Sequence, residues 1–174
     1  ITTVKNSSIS LNAADDADID TFALGTSFSS NVAVQGAAAA SLINKTVAAG
    51  MKDTSIQTVG SPEGTNADGT ADVNIHASNT SDIDSYAVVA AASGTTAAGI
   101  GIGVNRIVQQ TDAFIQGGVQ NVANANLTAL GQPKITATGV GASASGSVSI
   151  GGSVGINMVE NNVTAGLRET DMHS

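Results

Sequence analysis

Three stretches of this chain align end to end without a gap. They are IDTFALGTSFSSNVAVQGAAAASLINKTVAAGM from Ile19, IDSYAVVAAASGTTAAGIGIGVNRIVQQTDAFI from Ile83 and ITATGVGASASGSVSIGGSVGINMVENNVTAGL from Ile135, spaced by 64 and then 52 residues. Ile19, Ile83 and Ile135 coincide, as do Val47, Thr111 and Val163, then Ala49, Ala113 and Ala165, then Met51, Ile115 and Leu167. Upstream, Leu11, Ile75 and Leu127 hold a further shared apolar position. The octets VAAGMKDT from Val47 and VTAGLRET from Val163 differ only by changes that keep size, polarity or charge. A unit of this length with one apolar face cannot bury that face alone, and stacking on its own copies solves the problem.

Inside each copy the dominant period is two. In the third, Val140, Ala142, Ala144, Val148, Ile150, Val154, Ile156 and Met158 fall on even positions, and the odd positions between them are Gly, Ser and Asn. The second repeats this with Val88, Ala90, Ala92, Ala98, Ile100, Ile102 and Val104. Alternation of this kind belongs to strands, and the glycines oppose a helix. The pattern predicts that the apolar side fills an interior and that the Gly/Ser side meets another layer or another chain. A run of this length exceeds an ordinary strand, and Ser93–Gly94 and Ser145–Gly146, matched by Ser29–Ser30, mark a break. Ala144 and Val148 share a face, which fits either a three-residue hairpin loop or a corner between two sides of a coil.

The composition suits thin layers rather than a bulky core: aromatic residues make up 2% and charged residues 11%. Net charge is −8 and cysteine is absent. Such a balance excludes the phosphate-neutralising surface of a nucleic-acid binder and a polybasic membrane patch. With no disulfides, repetitive hydrogen bonding must hold the chain together. No apolar run reaches the length of a transmembrane helix, and a start at Ile1 without a signal peptide reads as a mature segment or a piece of something longer. Charge is absent between Asp20 and Lys45, between Asp84 and Arg106 and between Lys134 and Glu160. Acidic residues collect instead in DDADID (15–20) and SDIDS (81–85), read as unit boundaries, and SPEGTNADGTAD (61–72) reads as a Gly-rich loop.

These features predict an all-β fold, a β-solenoid resembling a parallel β-helix, built from three imperfect repeats of 52–64 residues with cores at 19–51, 83–115 and 135–167 in one 1–174 segment. The second repeat, with its leading isoleucine, Ala/Ser/Gly alternation, "GVN" step (Gly103–Asn105, and Gly155–Asn157 as "GIN") and A-x-I strand, resembles repeats of large secreted bacterial exoproteins of the filamentous haemagglutinin and leukotoxin-type adhesin kind. That resemblance implies a β-helical stalk exported through an outer-membrane partner (type V secretion) and displayed on a bacterial surface in adhesion or cell contact. The first copy departs from the pattern with "ASLIN", Phe22 and Phe28.

Few residues offer chemistry. His76 lies in a strand motif without a nucleophile or second ligand, and His173 lies at the end of the chain. Asp15, Asp16, Asp18 and Asp20 raise a calcium reading, but they lack the glycine and distal glutamate of a calcium loop, and a solvated loop that discourages strand pairing explains them better. A polysaccharide-active β-helix enzyme would need aromatic platforms and basic groups that are scarce here. The five Asn-x-Ser/Thr sites (Asn6, Asn44, Asn79, Asn126, Asn162) follow from composition, and GIGIGVN is followed by no helix or lysine that would make it a phosphate loop. No catalytic, cofactor-binding or metal-binding residue, no cofactor and no small-molecule substrate is expected. The partners expected are other copies of the chain, in an oligomer or filament, and a cell-surface receptor. A competing expectation is a membrane-inserting β-hairpin of a pore-forming protein, whose arms would match the uncharged runs in length.

Overall fold

The computed structural model describes residues 2–3, 8–58 and 72–173. Each copy forms one rung with two long walls and a short third side. The first rung comprises β2 (Ser8–Ser29), β3 (Val32–Lys52) and β4 (Gln57–Thr58). The second comprises β5 (Asp72–Ser93), β6 (Thr96–Gln116) and β7 (Val119–Asn121), and the third β8 (Asn124–Ser145), β9 (Val148–Arg168) and β10 (Asp171–His173). A two-residue strand, β1 (Thr2–Thr3), pairs with β4. The stretch 61–72 lies outside the described residues apart from Asp72.

Stacking is parallel throughout. One sheet runs β2-β5-β8 and the other β3-β6-β9. The register repeats the sequence alignment residue for residue: Ile19 beside Ile83 beside Ile135, and Met51 beside Ile115 beside Leu167. This is a β-solenoid of the parallel β-helix type. At about 3.3 Å per residue the 22-residue walls are about 70 Å long, well beyond an ordinary strand. The chain climbs half a step at each corner, so β3 packs between β2 and β5, β6 between β5 and β8, and β9 against β8.

The Ser-Gly breaks are coil corners, not hairpins, because the two walls of a rung belong to different sheets. Each corner takes two residues, Ser30–Asn31, Gly94–Thr95 or Gly146–Ser147. Corner backbone joins the ladder between rungs, with Thr96 N donating to Asn31 O at 3.0 Å and Val148 N to Thr95 O at 3.0 Å. At the opposite end each rung turns through a left-handed residue at one equivalent position: Asp53 (φ 51°), Gly117 (φ 67°) and Glu169 (φ 50°).

So short a corner brings the walls together as mirror images, and residues equidistant from it face each other across the interior. Ala87 meets Gly101, Val89 meets Gly99 and Ser143 bonds Ser149 at 2.8 Å. This settles which face is inside, and it reverses the expectation for Val88, Ala90, Ala92, Ala98, Ile100, Ile102 and Val104 and their third-rung counterparts. These residues point outward, and Ile150 is 60% exposed. The Gly/Ala/Ser side faces the opposite wall, as expected of a side that meets another layer. The cause is steric. Near the corner the backbones approach so closely that a Cβ on Gly141 would lie 2.3 Å from Gly152 O, and one on Gly151 would lie 2.7 Å from Gly141 O. In the third rung no side chain fits there, whereas the second rung seats Val89, at the position equivalent to Gly141, against Gly99.

Away from the corner the interior widens and changes character. Ile43, Ile83 and Ile107, flanked by Ile19 and Ile135, form a middle cluster. A polar level follows, and then the main core of Val47, Met51, Ile56, Val73, Ile75 and Ile115 with their neighbours. The rung is therefore a wedge, thick and oily at its base and thin toward the corner.

Candidate interaction surface

The residues with titratable or ligating side chains are dispersed over this frame. His76 is exposed on the outer face of β5, between Asn12 and Thr128 on the neighbouring strands. His173 sits in β10. The DDADID stretch is not a loop at a unit boundary. It lies inside β2, fully paired with β5, because a stacked neighbour satisfies its backbone whatever its side chains do. Its residues divide by parity: Asp15 turns inward, and Asp16, Asp18 and Asp20 share the outer face with Asp82 and Asp84. Among the described residues, no group of three or more His, Cys, Asp or Glu side chains is arranged to hold a metal ion.

The inward position of Asp15 belongs to a polar level that sequence reading missed. In the first rung Lys45 reaches across to Asp15 at 2.7 Å. At the same place in the second, Gln109 Nε2 donates to Asn79 Oδ1 at 3.1 Å and to Ser81 Oγ at 2.5 Å. In the third, Asn161 Nδ2 donates to Gly131 O at 3.2 Å. An ion pair, an amide pair and an amide-to-backbone bond thus do the same job, tying wall to wall at one height. A second inward column runs along the stack, with Asn105 Nδ2 donating to Asn157 Oδ1 at 3.0 Å. Mirror distance from the corner was the signal available in the sequence.

The outer faces carry the larger chemical contrast. Between the corner and the first charged residues lie about nine residues on each wall, about 30 Å of strand. One outer face carries Phe22, Leu24, Phe28, Tyr86 and Val140; the other carries Val34, Ile100, Ile102, Val154, Ile156 and Met158, all exposed. Charge begins at Asp20 and Asp84 on one wall and slightly further from the corner, at Arg106 and Glu160 (3.5 Å apart), on the other. Below that border Lys134 binds Asp82 at 2.7 Å, which holds its ammonium above the ordinary lysine range. Asp20 foremost, with partial desolvation and then Asp82, Asp84 and Asp16, holds the carboxyl of Asp18 above the ordinary aspartate range.

The ends of the stack form a third surface. Ile43 and Ile107 are 4% and 0% exposed, whereas the equivalent Val159 on β9 is 52% exposed. Leu167, equivalent to the buried Met51 and Ile115, is 48% exposed. The side chains at these positions are of the same kind; among the described residues β9 is the edge of its sheet, and no further strand packs on it. No described helix is long and apolar enough to cross a membrane. No family model, no curated protein and no solved structure matches this chain.

Proposed function

We propose that the chain is a non-enzymatic spacer: a segment of a stalk, secreted and displayed at a bacterial cell surface, that extends a larger assembly and supports attachment. One observation carries this reading: three rungs superpose in unbroken register while the inward apolar residues of the last strand lie open, as they would where a further rung stacks. The likeness of the repeats to filamentous haemagglutinin-type adhesins gives the setting. Rungs about 4.8 Å apart make the length of such a stalk proportional to the number of units. Tandem fusions of increasing copy number, imaged by electron microscopy, should lengthen by about 14 Å for each three-rung unit. Compact particles of constant length would refute the stalk, and beads coated with the chain should be retained on cultured cells if it also attaches.

One feature favours a second reading, insertion into a bilayer: both outer faces near the corner are apolar over about the thickness of a hydrocarbon core. The open edges of β2 and β9 oppose it, because unpaired strand edges are not tolerated in lipid. Dye-loaded zwitterionic vesicles should remain intact with the chain present, and release would reverse this ranking.

A further inference from the structure

We infer that a second copy of this chain docks head to tail on the β8–β9 end, placing its β2 and β3 beside β8 and β9 as a fourth rung. This rests on the stalk reading and names the partner at the end of the stack. Carrying the existing step one rung further sets Leu127 beside Leu11 of the incoming copy, Ile135 beside Ile19, Val159 beside Ile43 and Leu167 beside Met51. Each is an inward apolar position, and three rungs already show the same side chains stacking there. The half-step climb explains why β9 is the exposed partner: the wall that would cover its inner face is β2 of the next copy.

Charge selects the same pairing. Asp18, Asp82 and Lys134 form one column on the outer face. Lys134 touches Asp82 on one side and is 65% exposed on the other, where the Asp18 of an incoming copy would lie. Each Lys134 in a longer stack is then bracketed by two carboxylates. At the base corner the same register sets Arg168 beside Lys52 and Glu169 beside Asp53, like charges that are exposed and screened by solvent, so the electrostatic selection rests on the Lys134 column. The ends compete at one place, since β1 of the incoming copy and β10 of the preceding one belong to the same level of the third side. Docking therefore requires the two-residue β1 to give up its pairing with β4. An end-to-end contact between unlike surfaces does not close, so it builds a series rather than a dimer.

Two charge reversals test this with the full chain. In Lys134→Glu the tail of one copy repels the Asp18 of the next; in Asp18→Lys the head repels Lys134. Each alone should weaken association by about tenfold, the scale of a partly exposed pair turned from attraction to repulsion. Mixed, the two variants alternate along the series. The reversed tail of Lys134→Glu then meets the reversed head of Asp18→Lys, and the unaltered Lys134 meets the unaltered Asp18. Every joint again pairs opposite charges, so association should return toward that of the unmodified chain. Analytical ultracentrifugation should show mass rising with concentration past that of two chains for the unmodified protein and for the mixture. A dimer that grows no further, a monomer at every concentration, or a mixture no larger than its components would overturn the inference. None of these results would touch the tandem-fusion test, so stacking of separate copies can fail while the stalk stands.

Discussion

Gly141 lies against the backbone of Gly152 across the narrow part of the third rung, and the two invert an ordinary expectation about glycine. Gly141 points inward, and an added Cβ would lie 2.3 Å from Gly152 O and 2.6 Å from Gly152 N. Both are backbone atoms, which no rotamer change can move aside. The walls would have to separate by about 1 Å to reach ordinary van der Waals contact, and overpacking of this kind costs about 1–3 kcal/mol. We expect Gly141→Ala to fall in the upper half of that range, because the displaced atoms belong to a strand bonded into its sheet. Gly152 points outward and a Cβ there meets nothing within 4 Å. Gly152→Ala should therefore be neutral or stabilise by about 0.4–1 kcal/mol, through lost freedom in the unfolded chain. Urea unfolding followed by far-UV circular dichroism separates the two. With a slope of about 2 kcal/mol/M, Gly141→Ala lowers the midpoint by about 1 M while Gly152→Ala leaves it unchanged or raises it. If the two variants behaved alike, or in reverse order, the Val/Ile side would be the interior and the close approach of the walls would be wrong.

Three further outcomes follow from the same structure. Ile107→Ala should cost about 2–5 kcal/mol in thermal or urea unfolding, whereas Val159→Ala, at the equivalent place on β9, should cost under about 1 kcal/mol because half of that side chain is already in water. Gln109→Leu should destabilise by about 1–3 kcal/mol in the same assay, since buried Asn79 Oδ1 and Ser81 Oγ lose the donor they accept from. Asp18→Asn should raise the melting temperature at neutral pH and leave it unchanged in acid. The folded chain holds this carboxyl above its ordinary value of 3.8, so protonation favours folding. That advantage is complete below 3.8 and lost as pH rises through the raised value, which leaves the repulsive carboxylate in place at neutral pH; melts at the two pH values read the difference.

The sequence carried the register to the residue, because identical units stacked in parallel pair like with like, and offsets of 64 and 52 are the pairings observed. It carried less about sidedness. A period of two announces two faces without saying which is dry, and hydrophobicity alone pointed Val140 and Ile150 inward. The cue lay elsewhere: Asp82 and Asp84 share the parity of Val88, and Ile83 has the opposite one. Two carboxylates on one parity favour the wet face unless paired, as Asp15 is with Lys45, so the isoleucine side is the interior. A two-residue corner then keeps the interior near the fold to small residues, with Val89 admitted only opposite Gly99. The polar ties between walls were hidden for a related reason, since Asn79 and Gln109 become neighbours only once the corner is placed midway between them. The open end had no signature at all, because Val159 differs from Ile107 in its neighbours and not in its own chemistry.

Mirror pairing about the corner also governs how such a unit tolerates change. One residue inserted into a wall would turn every later side chain inside out, so the lengths of the walls are locked together. The chain between rungs is under no such rule: thirteen residues separate Thr58 from Asp72, and two separate Asn121 from Asn124. Duplication, loss and the grafting of new segments are therefore free at the base of the wedge and forbidden along its blades. A lineage built from these units would diversify on one rim only, with its paired walls kept to a fixed length from copy to copy.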